Sequence, residues 1–544
     1  MSEAPVSATN QAPPPQAGAH PPVSIAIQTI GVCVVAMVGS SVSSQLVDLA
    51  IADVGGAFSV SADQASWIAC VATMAEVAAI PIAAILVRAL SLRTVVICAA
   101  GIYALAALGD LGVADAAGLL VVRAVQSFAG GILSVLLFVS VMATLPAGPR
   151  RGIGLTVFAF ASTAPGAFAA SVGASLTERF GWQGLYGFDL GWSLLVVGLA
   201  AWMLRPSPPV MRLSEIDWPG YLLLATGCAA LILFLKQGDR FFWWDSPTIV
   251  QAGLFAAMIL PISIAVLLWG KRPLLDLSLL LKPSFGWAVV IATFYRFGLV
   301  MTAFVVPQAL VRLQGFRMPE IADANIWMLW AECIAFPLAW FWASRWDARL
   351  PLSLGLALFA IGAALASRLT PAWQAADFRL ALIAIGFGQG LFLVPTLFYA
   401  TRDVAPTQGP TAAALFNLSR VGGQVFGIAV IGSLITWREK FHSAILVDRL
   451  DNPSADLTDR LNGLIGLFTG ASGDRGLAEL QAWKSLAGSA SIQAYTLAFA
   501  DAFVIVALVL AASAFLVLML PPLRDRLRTR PPTSADALAS GRPA

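Results

Sequence analysis

Apolar runs follow one another along this chain with charge confined to the connectors, and most are long enough to cross about 30 Å of hydrocarbon as a helix. Fourteen such runs, spans 1 to 14 below, lie near 25–50, 64–87, 94–113, 117–144, 153–177, 183–204, 217–236, 247–270, 286–310, 322–343, 351–368, 378–401, 410–436 and 493–520. Backbone amides in hydrocarbon have no water to bond, so each run must satisfy its own as an α-helix. The fold class that follows is an all-α polytopic membrane protein with 14 transmembrane helices. Only 12% of the 544 residues are charged, about half the share in soluble domains. Buried helices of a soluble protein would not recur this often at this length.

Lys and Arg set the orientation. Connectors 51–63 and 110–116 have none, whereas the alternate set holds Arg88 and Arg93, Arg150 and Arg151, Arg205 and Arg212, Lys271, Arg272 and Lys282, then Arg345 and Arg349. The positive-inside rule makes the second set cytoplasmic and places both termini inside. Residues 1–22, rich in Pro, Ala and Ser, read as a disordered cytoplasmic tail and not as a cleavable leader. Residues 521–544, with Arg524, Arg526, Arg528 and Arg530, read as a basic cytoplasmic tail.

A seven-residue string, A-E-x-x-A-x-P, occurs at Ala75–Pro81 and again at Ala331–Pro337, an offset of 332 − 76 = 256 residues. The same offset carries Arg93 onto Arg349 and Arg123 onto Arg379. It pairs spans 2, 3 and 4 with spans 10, 11 and 12 and leaves spans 7 and 8 over. The organisation expected is a six-helix half over 23–205, two inserted helices in 206–272, and a second six-helix half over 273–520. Parallel repeats of this kind bind their cargo near the midplane between halves. The connector 437–492, extracytoplasmic by the alternation, places Phe441, Ile445, Leu446 and Leu450 at helical spacing and should pack as partial helix over the outer face.

A charge at the bilayer centre costs ~3 to ~15 kcal/mol, so each ionisable residue inside a span needs an account. Glu76 lies 76 − 64 = 12 residues into span 2 and 88 − 76 = 12 before Arg88. Desolvation favours the protonated form of a carboxyl group at such a depth, the property a proton carrier needs; a permanently neutral Glu bonded to a neighbouring helix is the alternative. Asp48 near the end of span 1 and Arg123 in span 4 share a depth, which suits an ion pair, with Gln126 one turn on; an Asp48 merely solvated at the water interface is the alternative. Arg296 in span 9 must face a polar cavity or a carboxylate such as Glu332, and Gln126, Arg296 and Glu332 are candidate cavity residues. All five cysteines (Cys33, Cys70, Cys98, Cys228, Cys333) lie in apolar runs without CxxC spacing and read as packing residues. With two histidines far apart, no metal site is expected, and no cofactor or nucleic-acid partner. Gly386-Phe387-Gly388-Gln389-Gly390 follows no strand and reads as a close helix-packing face, not a phosphate loop.

Several stretches together resemble the 14-span drug:proton antiporters of the EmrB/QacA type, in the major facilitator superfamily: SVSADQASWI (59–68) with AEVAAIP, RAVQSFAGG (123–131), DWPGYLLLATG with KQGDRFFWWDS (217–246), GPTAAALFNLSRVGGQVFGIAV (409–430) and QAYTLAFADAF (493–503). The resemblance implies a major facilitator fold, two six-helix halves plus two extra spans, and proton-driven efflux of amphipathic drugs or other small molecules from a bacterial inner (cytoplasmic) membrane. It implies a coupling role for Arg123, and some such exporters work with a periplasmic adaptor and an outer-membrane channel. The chain departs from the pattern where Ser43 stands in place of the span-1 aspartate and Asp48 in place of the asparagine. The proton-coupling candidates are therefore Glu76, Asp48 and Arg123. Two other functions stay open: a specific carrier of an anionic metabolite held by Arg296 and Arg123, and a transport-inactive sensor or scaffold. An enzyme is not expected, because no connector can house a catalytic domain.

Overall fold

The computed structural model describes residues 22–49, 51–113, 115–270, 273–451 and 455–519, at 47–49, 52–53, 318, 406, 449–451, 455–456 and 472 by backbone alone. The expected tails, Lys271 and Arg272 thus lie outside the described residues, as does the side chain of Asp48. Among the described residues fourteen helices are long and apolar enough to cross a membrane. They match the expected spans, beginning with Val23–Leu49, Ala62–Leu90, Leu92–Gly112, Ala116–Thr144, Pro149–Phe180 and Gln183–Met203.

Their ends are set by local chemistry. Ser61 and Gln64 form a capping box that starts span 2, each side chain accepting from the other's backbone N–H. Asp115 starts span 4 and Asp217 starts span 7, each accepting from the amide of a glycine three residues on. Such a cap contributes about 1 kcal/mol by satisfying an amide that the first turn leaves unpaired. Span 9 ends on Gly315 at φ +68°, a left-handed position where glycine carries no steric cost.

Span 9 is interrupted. Pro283–Val300 passes through one π-helical turn, Met301–Val305, into Val306–Gln314. Pro307 lacks an N–H and its ring crowds the preceding turn, and a widened turn is one way a helix absorbs that defect.

The repeated motif packs alike in both halves. Spans 2 and 4 form one close pair, as do span 10 (Met318–Arg345) and span 12 (Arg379–Thr401). Ala79 and Ala335, the second alanines of the two strings, are fully buried in these contacts. A Cβ on Gly131 would stand 2.6 Å from the Glu76 carbonyl oxygen, and one on Gly390 would stand 2.7 Å from the Ala335 Cβ. Small residues thus bring the backbones together and fix the rotation of spans 2 and 10, with it the direction of each glutamate. Span 7 (Trp218–Gln237) and span 8 (Pro247–Trp269) pack on one another, and span 7 lies against spans 2 and 13 at the seam between halves.

Spans 13 and 14 run far beyond their expected ends. Gly409–Asp451 and Arg475–Met519 are single helices of 43 and 45 residues; at 1.5 Å per residue each is about 65 Å long, twice the hydrocarbon thickness. Arg438 and His442 of span 13 both reach Asp501 of span 14, at 2.6 and 2.7 Å, and clamp the pair. A further helix, Ala455–Ser472, lies along span 14. Phe441 and Ile445 stay exposed, so this part of the connector projects as a helical extension and does not fold down as expected.

Overpacking of the motif contact is directly testable. Gly131→Leu is expected to cost about 3 kcal/mol or more and to lower the thermal unfolding midpoint of the purified protein. Gly187→Ala, where a Cβ meets nothing within 4 Å, should leave the midpoint unchanged or raise it. Equal midpoints for the two variants would contradict the close approach.

Candidate functional site

Two groups of buried charge stand out, one inside the first half and one between the halves. The first is built around Arg123, seven residues from the start of span 4, and Asp189, six from the start of span 6 (123 − 116, 189 − 183). Asp189 Oδ2 accepts hydrogen bonds from Ser43 Oγ at 2.8 Å and Gln126 Nε2 at 2.9 Å, and lies 3.6 Å from the Arg123 guanidinium. Arg123 donates to Gln126 Oε1 and sits over the Tyr186 ring, 5.7 Å from its centre. Tyr103 of span 3 donates to Ser43 at 2.5 Å. Arg123 and Asp189 are almost wholly buried.

A second carboxyl, Asp110 at the end of span 3, is fully buried within electrostatic range of Arg123 and Asp189, and neither of its oxygens has a hydrogen-bond partner. One guanidinium therefore faces two carboxyl groups away from water. Uncompensated charge is costly there, so the neutral state of the cluster is the one that retains a single proton.

The expected partner of Arg123 was Asp48. The Asp48 side chain lies outside the described residues; among them Asp189 is the carboxylate paired with Arg123, and Ser43, at the position where the resemblance called for aspartate, donates a hydrogen bond to it. Asp189 and Arg123 lie at equal depth from the same end. That signal was present in the sequence and pointed as well to span 6 as to span 1.

The second group lines a cavity of about 390 Å³ between the halves. Glu76 from span 2 meets Arg420 from span 13 across it, Oε1 to guanidinium 3.4 Å. Arg420 is further held by Asn417 Oδ1 at 3.2 Å. Lys236, from the inserted span 7, enters the same cavity and donates to the Ala69 carbonyl at 2.9 Å and Thr73 Oγ1 at 2.7 Å. The widened turn of span 9 supplies Thr302 and Phe304, with Pro307 beyond it. At the rim Arg240 pairs with Asp63 at 2.6 Å. Sequence reasoning missed both Arg420 and Lys236: Lys236 falls at the expected end of span 7, where snorkelling would account for it, but Arg420 lies 420 − 410 = 10 residues into span 13, too deep for that.

Arg296 also lines this cavity. It is 3% exposed, its Nε has no hydrogen-bond partner, and its guanidinium lies 5.5 Å from the centre of its neighbour Tyr295's ring. Its stem rests against Gly423 of span 13, where a Cβ would come within 3.3 Å of Arg296 Cγ. Glu332 is not its counter-ion. Span 10 packs against span 5, and Glu332 is fully buried facing Thr163 there, without a partner cation among the described residues. Glu332 and Gln126 therefore do not line the cavity as expected; each is enclosed between helices, and Gln126 belongs to the Arg123 cluster.

The cavity opens toward the end that carries Asp63, Gln237 and Arg240. At the opposite end the halves meet. Phe138 of span 4 stacks on Phe416 of span 13 with centroids 5.9 Å apart, and Phe158 of span 5 packs edge-on to both at 5.2 and 6.1 Å. A Cβ on Gly152 would stand 2.8 Å from the Phe398 ring of span 12, and one on Gly409 would stand 3.3 Å from Met142 Cβ. The arrangement is a two-halved bundle with a polar central cavity open to one side and sealed at the other.

Known proteins share this architecture. Over 489 residues the chain is 23% identical to the colistin resistance protein EmrB of Acinetobacter baumannii, spanning 88% of this chain and 92% of that protein. It is 24% identical over 423 residues to the multidrug resistance protein Stp of Mycobacterium tuberculosis, 76% of each. The multidrug export protein EmrB of Escherichia coli K12 is 22% identical over 377 residues, 63% of this chain and 71% of that protein. Among solved structures, a bacterial homolog of the human lysosomal transporter Spinster, inward-facing and unoccupied, superposes with a TM-score of 0.53 at 15% identity, covering 92% of this chain and 97% of its own. The proton:xylose symporter XylE gives 0.50 at 11% identity, with the same coverage. The Major Facilitator Superfamily sequence profile matches residues 32–428, and the chain belongs to that superfamily.

Proposed function

We propose that the protein is a secondary active transporter that exports amphipathic small molecules in exchange for protons by alternating access. The observation that carries this reading is the pairing of a central polar cavity, open at one end and sealed at the other, with a buried cluster of two carboxyl groups around one arginine. The names of its relatives, resistance and export proteins, favour export over uptake. The Lys and Arg bias of the connectors puts the sealed end in the cytoplasm, so that the cavity faces outward. The helical extension of spans 13 and 14 rises from the open end and offers the surface on which a periplasmic adaptor would dock.

In this reading the Arg123 cluster holds the coupling proton. With one proton it is neutral; a second proton on Asp189 or Asp110 leaves Arg123 without a full counter-charge and loosens spans 1, 3, 4 and 6 from one another. Glu76, the carrier expected from its depth, lines the cavity as the partner of Arg420, and this reading gives it that role and not the coupling proton.

Flux in proteoliposomes under an imposed pH gradient tests both points. Wild-type protein should move a lipophilic dye with linked proton movement. Asp189→Asn is expected to lower gradient-driven flux by about tenfold or more, a change of ~1.4 kcal/mol, while dye counterflow without a gradient persists. Glu76→Gln should retain proton linkage; its loss there, with Asp189→Asn still coupled, would return the carrier role to Glu76. Absence of flux for every dye and metabolite tried would favour a sensor or scaffold.

The seal gives a second test. In a background without the five native cysteines, the pair Met142→Cys and Gly409→Cys should form a disulfide under mild oxidation, since the Cβ positions fall close to disulfide geometry. The cross-link should stop transport, and reductant should restore it. Full transport by the cross-linked protein would show that this end need not open.

A further inference from the structure

We propose that the central cavity binds an amphipathic organic carboxylate, its anionic end held between Arg296 and Arg420. This rests on the transport reading, in which the cavity is the place of the cargo, and names the class of molecule carried.

The argument begins with charge. Among the described lining residues the one carboxylate is Glu76, against the cations Lys236, Arg240, Arg296 and Arg420; Arg240 pairs with Asp63 at the rim, and of the two inner guanidiniums Glu76 lies near Arg420 and not Arg296. Arg296 has no carboxylate within ion-pair distance among the described residues. It is 3% exposed, cannot shed its proton, and keeps a buried donor, Nε, unused. An unsatisfied buried donor costs about 1–3 kcal/mol, and more for a charged group, so its retention calls for a partner that comes and goes.

Geometry brings the two arginines together. Gly423 lies one turn beyond Arg420 on span 13 and leaves room for the Arg296 stem, so the guanidiniums are near enough to repel one another. An anion between them removes that repulsion and fills both sets of donors. The planar fork of a guanidinium matches a carboxylate two bonds at a time. Glu76, at 3.4 Å from a single guanidinium nitrogen, holds Arg420 weakly and can be displaced by such a ligand. Beside the arginines the wall turns apolar, with Leu299, Phe304, Val425 and Ile428, which suits an aromatic or aliphatic body attached to the anionic end.

The test is equilibrium binding to the full-length protein in lipid nanodiscs, without any gradient, with three probes of one shape. These are 1-naphthaleneacetate, its neutral amide, and a naphthylmethyl trimethylammonium cation. The carboxylate should bind about ten- to hundredfold tighter than the amide, the worth of one or two charge-assisted hydrogen bonds, and the cation weakest. Arg296→Gln should abolish that preference, and Arg296→Lys, which keeps charge but not the fork, should retain part of it. Glu76→Gln should tighten carboxylate binding by removing the competing anion. Unfolding midpoints show which variants are folded, and the lysine variant serves if the glutamine variant is not. A cation that binds best, or a preference that survives Arg296→Gln, would overturn the anion site and leave export untouched, because flux is measured separately. Failure of all three probes to bind the folded wild-type protein would overturn the site as well.

Discussion

An ionised side chain in hydrocarbon has no water to answer it, so its partner must come from another helix, and this requirement organises the bundle. Arg123 is answered by Asp189 and Gln126, and through Ser43 and Tyr103 the same network reaches spans 1 and 3. Four spans of the first half are thereby held in one rotational arrangement. Arg420 and Glu76 do the same across the midline, joining span 13 to span 2. Removing one partner of the Arg123–Asp189 pair strands the other away from water, which costs several kcal/mol; the Glu76–Arg420 pair, facing the cavity, is looser. The apolar surfaces of these helices pack almost equally well in many rotations; the charges select one.

The internal repeat shows how such pairs diverge after duplication. Span 2 meets span 13 and span 10 meets span 5, the same contact twice around an axis through the bundle. Adding 256 to Thr163 and Ala164 gives Ser419 and Arg420, so the residue facing Glu332 neighbours the counterpart of the arginine that faces Glu76. In one copy the adjoining position is arginine and the glutamate has a cation. In the other it is alanine and the glutamate is sealed between helices with none among the described residues. A symmetric scaffold therefore carries an asymmetric site, and the difference rests on the identity of one position in span 5.

Legibility in the sequence followed the same physics. Length and apolarity located every span, because hydrocarbon thickness is a one-dimensional constraint and sequence is one-dimensional. The motif's spacing identified the related helices, and its alanines proved to be contact points against glycine. Depth was equally readable: Glu76 near the middle, and Arg123 near one end. What sequence did not supply was azimuth and neighbour. Asp189 shares a depth with Arg123, but its direction is read only from the packing of span 6 on span 1, where Trp192 donates to the Val35 carbonyl. Arg296 and Glu332 are both central, yet they lie on helices that face different neighbours. The ends of spans 13 and 14 were missed because their extensions, once outside the hydrocarbon, carry charge at helical spacing and lose the apolar signal while remaining helix.

Span 1 links the two charge systems. Its Ser40 donates to the Gly130 carbonyl at 3.0 Å and its Ser43 to Asp189, which ties one face of the helix to spans 4 and 6. Ser41, Ser44 and Gln45 present the adjacent face to the central cavity. The helix is thus a common wall between the buried Arg123 cluster and the central cavity, the two places that the proposed exchange assigns to the proton and the cargo. A change of protonation on one side alters what holds span 1 in place, and the span cannot turn or tilt without moving three polar side chains in the cavity. The proton and the cargo need not touch for one to affect the other; a single shared helix is enough.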